Sequence, residues 1–170
     1  MMAQLSNTEK KNVAIAPSQT GDGVFAIRNF SEGETILTLR GKLITCYEDD
    51  DIDEETRANT IRYDEEYYLS PGKTPGNYFN HSCGPNAKIV KKGKKLSVVA
   101  IVPIRKGREI TFDYSTTLAH DDVWTMKCQC GVLHCRGKVI SFVLLPKKVQ
   151  KKYRVLGLVP AYILAIDGII

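Results

Sequence analysis

Hydrophobic positions along this chain alternate in short stretches and seldom recur at helical spacing. Residues 13–16 and 24–27 read as strands on either side of a Gly21-Asp22-Gly23 turn. Residues 35–44 read as β-structure broken by a Gly41-Lys42 turn, and 67–69 as extended. Residues 70–76 are a loop by composition. Residues 87–90 and 95–101 predict a hairpin around Lys91-Lys92-Gly93-Lys94. A turn at Arg105-Lys106-Gly107 then leads into a strand over 109–112. Two segments predict helix. One is the acidic stretch 49–59, with Asp49 or Asp50 as its cap. The other is 146–156, with Pro146 in its first turn and Gly157 as its stop. Residues 1–12 are expected to be disordered. The predicted class is mostly β, built from several small sheets.

At 170 residues the chain suits one domain with a sizeable core. Its net charge of +5 leans only weakly toward nucleic acid, because the lysine pairs are short and scattered. Residues 1–16 lack the apolar run of a signal peptide, so an intracellular, unsecreted protein with reduced cysteines is expected. Residues 156–170 are apolar but interrupted by Pro160 and Asp167. They are too short to span a bilayer and suit a docked tail or a homodimer contact.

The five cysteines carry the sharpest signal. Cys128, Cys130 and Cys135 form Cys-x-Cys-x4-Cys, one ligand short of a tetrahedral zinc site, and Cys83 is the natural fourth. His81 is the competing ligand. No Cys-x-x-Cys pair is present to support a redox role. Cys46 is left over and reads as a partly buried spare thiol.

Several motifs occur in order: Gly21-Asp22-Gly23-Val24-Phe25-Ala26, Asn80-His81-Ser82-Cys83-Gly84-Pro85-Asn86, Glu109-Ile110-Thr111-Phe112-Asp113-Tyr114, and the cysteine tail to Gly137. Together they resemble the SET-domain methyltransferases with a post-SET zinc motif. The resemblance covers about residues 13–137. The stretch 142–162 is similar, more loosely, to the C-terminal helix of small stand-alone bacterial members. It implies a β-clip-like fold of small curved sheets around a pseudoknot. It also implies a SET domain over 13–116, a post-SET zinc segment over 117–137, and a C-terminal helix with an apolar tail over 138–170. Asn77-Tyr78-Phe79 departs from the Arg-Phe-x that commonly precedes Asn-His in the family.

The activity implied is methyl transfer from S-adenosylmethionine to a lysine of a protein substrate. Gly21, Asp22, Gly23, Val24 and Phe25 would approach the cofactor with main chain and an apolar wall. Asn80, His81, Tyr114 and Gln129 would also contact it. Tyr114 is the expected catalytic residue, orienting the amine through its hydroxyl. Phe112, two residues earlier, would face the same way and leave room for di- or trimethylation. Tyr67 is assigned to the lysine channel in preference to Tyr68. Trp124 is expected to pack, and His120 and His134 to be exposed. One structural zinc would sit on Cys83, Cys128, Cys130 and Cys135. The alternative reading is a catalytically silent, zinc-stabilised module of the same fold that binds peptide or nucleic acid.

Overall fold

The computed structural model describes residue 7, residues 9–45 and residues 53–170. The positions of Cys46, Asp49 and Asp50, and with them the expected cap and spare thiol, lie outside the described residues. Glu9–Asn12 forms one turn of helix (α1), not the expected disorder. Its Glu9 carboxylate is buried and paired with Arg40 at 2.6 Å. That tertiary partner is what a polar N-terminal sequence cannot announce.

Strand β1 (Val13–Ser18) pairs antiparallel with β2 (Gly21–Ala26). The turn is therefore Gln19-Thr20, and Gly21, Asp22 and Gly23 lie inside the second strand. β3 (Thr35–Thr38) and β4 (Lys42–Thr45) flank the expected Gly41 break. Helix α2 (Glu54–Ala58) is capped by Asp53, whose side chain accepts from the Thr56 N–H at 2.8 Å. β5 (Ile61–Arg62) and β6 (Tyr67–Ser70) join β4 in a three-stranded sheet of order β4-β6-β5. A 3-10 turn over Pro75–Tyr78 leads into β7 (Asn80–His81). The hairpin β8 (Ala87–Lys92) and β9 (Lys95–Ala100) completes a second sheet of order β3-β9-β8. β10 (Thr111–Phe112) pairs parallel with β7, and β11 (Met126–Lys127) pairs antiparallel with β12 (Lys138–Val139). The class is mostly β in small sheets, as the alternation predicts. The buried faces of these sheets, among them Val24, Ile36, Ile89, Val98 and Ile110, form one core.

The C-terminal segment forms α3 (Lys147–Val155) and α4 (Ala161–Ile166). α3 ends where expected, with Gly157 at φ +58°. α4 was not foreseen, because a short apolar run does not distinguish helix from strand. Phe142, Leu145, Tyr153, Leu158, Val159 and Ile163 make a second cluster. Tyr162 touches both clusters, and its hydroxyl donates to the Arg62 carbonyl at 2.6 Å. The tail is therefore docked on its own chain. Among the described residues no helix is long and apolar enough to cross a membrane.

Ile163 is fully buried. Ile163→Ala is expected to cost about 2–5 kcal/mol by urea denaturation followed through Trp124 fluorescence. An unchanged midpoint would contradict the docked tail.

Candidate active site and thiol cluster

The parallel pairing of β7 with β10 sets Asn80 and His81 beside Thr111 and Phe112. Asn86 fixes the junction. Its amide donates to the Glu109 carbonyl at 2.7 Å, and its side-chain oxygen accepts from the Thr111 N–H at 2.9 Å. Ser82 N–H donates to the Phe112 carbonyl at 3.1 Å. Two sequence motifs that lie far apart in the chain are thereby fused into one site.

Around the glycine strand, the close approach is to the protein's own side chains. A Cβ on Gly23 would lie 2.3 Å from Glu109 Oε1 and 3.0 Å from Asn80 Nδ2. The Asn80 amide donates to Glu109 Oε1 at 2.7 Å and to the Asp22 carbonyl at 3.1 Å. Ser18 Oγ donates to the other Glu109 oxygen at 2.8 Å. Gly21 has φ +111°, and its missing Cβ would meet nothing within 4 Å. The exposed edge is thus the main chain at Gly21 and Asp22. Val24 is buried in the core, and Phe25 bridges to Glu109. Among the described residues nothing donates to Asn80 Oδ1, which leaves an acceptor beside that edge.

His81 is buried, and desolvation brings its pKa down to about 4 against the raising charge of Asp113. It is neutral at pH 7 and carries one N–H. Its Nδ1 accepts from the Tyr114 N–H at 3.2 Å, so the proton sits on Nε2. Nε2 lies 3.4 Å from Cys83 Sγ and donates to it.

The cysteines converge. Ligand atoms of His81, Cys83, Cys128 and Cys130 all lie within 4.8 Å of one another. Cys128 Sγ is 3.7 Å from Cys83 Sγ and 3.5 Å from Cys135 Sγ. Thiolates at about 2.3 Å from a tetrahedral ion would stand about 3.8 Å apart, close to these two distances, but Cys135 is outside the group of mutually close ligand atoms and His81 stands in its place. Backbone N–H groups of Cys83, Arg136 and Gly137 point at Cys130, Cys83 and Cys135 sulfurs at 3.4–3.5 Å. Crowded thiols resist ionising together. Burial pushes Cys83 up to about 11, whereas N–H donors from Cys83 and Val132 outweigh burial and bring Cys130 down to about 6. The loop of the cluster reaches the first hairpin, where a Cβ on Gly131 would meet the Gln19 side chain at 3.5 Å. Gln129 is exposed on this loop.

A buried ion pair ties this cluster to the C-terminal helix. Asp113, 1% exposed, takes both Arg136 guanidinium nitrogens at 2.7 and 2.8 Å, and the Tyr153 hydroxyl at 2.8 Å. Asp113 precedes Tyr114, and Arg136 follows Cys135.

On the other side of Tyr114 lies a cavity of about 460 Å³. Its aromatic walls are Phe79, Phe112, Tyr114 and Trp124. Phe112 and Trp124 ring centroids lie 5.0 and 6.3 Å from that of Tyr114. The Tyr114 hydroxyl donates to the Phe79 carbonyl. Burial, then the charge of Glu109, raises its pKa well above the ordinary phenol range, so it stays protonated. Tyr68, Arg62, Asp121 and Asp122 also line the cavity. Arg62 pairs with Asp121 at 3.1 Å and with Asp122 at 3.3 Å, and the Tyr68 hydroxyl donates to Asp122.

Tyr68, not Tyr67, lines this cavity. Tyr67 packs against the core, on the same face of β6 as the buried Leu69. Trp124, expected to pack, does so against Tyr114 and also lines the cavity. His134 is exposed and His120 largely so. Glu109, Asp113 and Arg136 carry the polar framework, yet none received a role from the sequence. The only signal was a pair of carboxylates bracketing the apolar run before Tyr114.

Residues 21–115 match the SET domain family. The chain is 31% identical over 105 residues to the histone-lysine N-methyltransferase eggless of Drosophila melanogaster. It is 30% identical over 139 residues to the human histone-lysine N-methyltransferase 2D. It is 29% identical over 144 residues to the H3 lysine-4 specific histone-lysine N-methyltransferase of Saccharomyces cerevisiae. These matches cover 53%, 75% and 77% of this chain. They span only 8%, 2% and 13% of the relatives' own lengths. With this fold and this ordering of motifs, the chain belongs to the SET-domain family.

Arg136→Met would strand the buried Asp113 carboxylate and is expected to cost about 3–5 kcal/mol in denaturant unfolding. Tyr153→Phe removes one hydrogen bond and is expected to cost about 1–3 kcal/mol. Equal, negligible effects would contradict the assignment of Asp113 as the charge that holds the tail.

Proposed function

We propose that the protein is an S-adenosylmethionine-dependent protein-lysine N-methyltransferase. The observation that carries this reading is the cavity walled by Phe79, Phe112, Tyr114 and Trp124 in a chain of the SET-domain family. Free lysine has a pKa near 10.4, so neutralising it at pH 7 costs about 4–5 kcal/mol. A cavity walled by Phe79, Phe112 and Trp124 removes water and lowers that pKa. S-adenosylmethionine, when bound, supplies the methyl group as a sulfonium. Asn80 Oδ1 and the exposed main chain at Gly21 and Asp22 would hold its amino-acid part, with Gln129 on the adjacent loop. Tyr114 acts as an orienting group. A phenol this firmly protonated does not serve as a base at pH 7.

The thiols of Cys83, Cys128, Cys130 and Cys135 would hold one structural zinc, with His81 as the competing fourth ligand in place of Cys135. The ion would hold the tail against the hairpin carrying Gly21. Phe112 has no hydroxyl to fix a water in the cavity, which supports di- or trimethylation. The relatives named above suggest a histone or another basic, DNA-organising protein as substrate. A silent binding module would be expected to have lost Tyr114, the Asn80-His81 pair or Gly21-x-Gly23, and all are present.

Tyr114→Phe is expected to lower radiolabelled methyl transfer into whole-cell extract by about 100-fold, a loss typical of a misplaced acceptor. Equal labelling would contradict the role of the hydroxyl. Mass spectrometry of the labelled lysine is expected to show products beyond monomethyl for the wild type and mainly monomethyl for Phe112→Tyr. Metal chelation is expected to abolish transfer while far-UV circular dichroism changes little.

A further inference from the structure

The exposed face of α3 carries Lys147, Lys148, Lys151, Lys152 and Arg154, and no acidic residue lies within the helix. The whole chain has 24 Lys and Arg against 19 Asp and Glu. Without the five cations of α3 the remainder would be balanced at 19 against 19, so the net charge of +5 equals what this one helix contributes. Among the described residues none of the five makes an ion pair.

Their placement works against the helix itself. Lys147 and Lys148 occupy the first turn, where the helix dipole disfavours cations. Lys147 and Lys151, and likewise Lys148 and Lys152, are like charges four residues apart and repel. The helix is held instead from its inner face. Gln150 donates to the Val143 and Leu145 carbonyls at 2.8 and 2.7 Å, and Tyr153 reaches Asp113. The result is a self-repelling set of exposed cations, three of which (Lys147, Lys151 and Arg154) line a groove shared with Asp167, and an anionic partner would relieve the repulsion.

We propose that α3 docks on the phosphate backbone of double-stranded DNA, without sequence selectivity. Cations four residues apart on a helix are about 6 Å apart along its axis. That is close to twice the axial charge spacing of one DNA strand, about 3.4 Å. Single strands are bound with aromatic stacking platforms, and the one aromatic residue of α3, Tyr153, is buried. An interfacial membrane helix turns its apolar face outward, whereas Val149, Gln150 and Tyr153 of α3 face the protein. Val155 and the next residue, Leu156, are exposed at the helix end, too few to make an apolar stripe along α3.

The test is fluorescence anisotropy of a labelled DNA duplex titrated with the full chain between about 50 and 200 mM salt. Four to five phosphate contacts give a slope of log K on log salt of about −3.6 to −4.5. The variant K147Q/K148Q/K151Q/K152Q, with an unchanged circular dichroism melt, is expected to bind at least about 10-fold more weakly and with a much shallower slope. K94Q/K95Q, on the exposed β8–β9 turn, is expected to bind like the wild type. The proposal is overturned by equal binding of the α3 variant and the wild type, by a salt-insensitive isotherm, or by absence of duplex binding at about 50 mM salt. Preference for duplex RNA, or capture by phosphatidylserine vesicles in place of DNA, would overturn it as well. Neither arm depends on methyl transfer, so the outcome is separate from that of the proposed activity.

Discussion

Everything at the site depends on two residues of parallel strand, Asn80–His81 against Thr111–Phe112. Parallel pairing requires a long excursion between its partners, here supplied by the β8–β9 hairpin and the Arg105–Gly107 turn. So short a ladder would be weak alone. Asn86 reinforces it with both side-chain atoms and with its own backbone N–H to the Thr111 carbonyl at 3.2 Å. Through this contact Tyr114 gains its hydrogen bond to His81 and Phe112 its place beside Phe79, at 6.4 Å between ring centroids.

Three carboxylates are withdrawn from water around that ladder, and each is matched. Glu109 is held by Ser18 and Asn80, Asp113 by Arg136 and Tyr153, and Asp122 by Arg62, Tyr68 and the Ala119 N–H. A buried charge is tolerated only when hydrogen bonds replace its hydration. These partners come from the first hairpin, the cysteine tail, the β4-β6-β5 sheet and the C-terminal helix. The polar framework therefore specifies how the pieces are mutually arranged, while the apolar core supplies the burial.

The small sheets were legible because residues alternate between faces and because Gly41, Gly93 and Gly107 mark breaks. The convergence of Cys83 with the tail was legible because three thiols leave a tetrahedral ion incomplete. What the sequence does not decide is set by tertiary partners. Tyr67 and Tyr68 are chemically identical neighbours on alternating faces, and only the strands flanking β6 decide which one meets the cavity. The Gly21–Gly23 segment looked like a turn because glycine is permissive. Its third position is glycine because Glu109 and Asn80 crowd the strand. Glu9 looked like part of a polar tail, and Arg40 makes it a buried anchor. Five cations of one helix looked like scattered lysine pairs until the helix turned them to one side.

The thiols then join the far end of the chain to this centre. Cys83 sits two residues beyond His81, and its neighbours in space are Cys128 and Arg136. The tautomer of His81 follows from the Tyr114 N–H, so the thiol cluster and Tyr114 share one imidazole. That sharing makes the ligand set the most direct point of attack. X-ray absorption at the zinc edge of the metal-loaded full chain measures it without reference to activity. The expected spectrum fits four sulfurs at about 2.3 Å with no nitrogen. A shell of three sulfurs and one nitrogen near 2.0 Å would place His81 on the metal and undo the proton assignment on which the site is built.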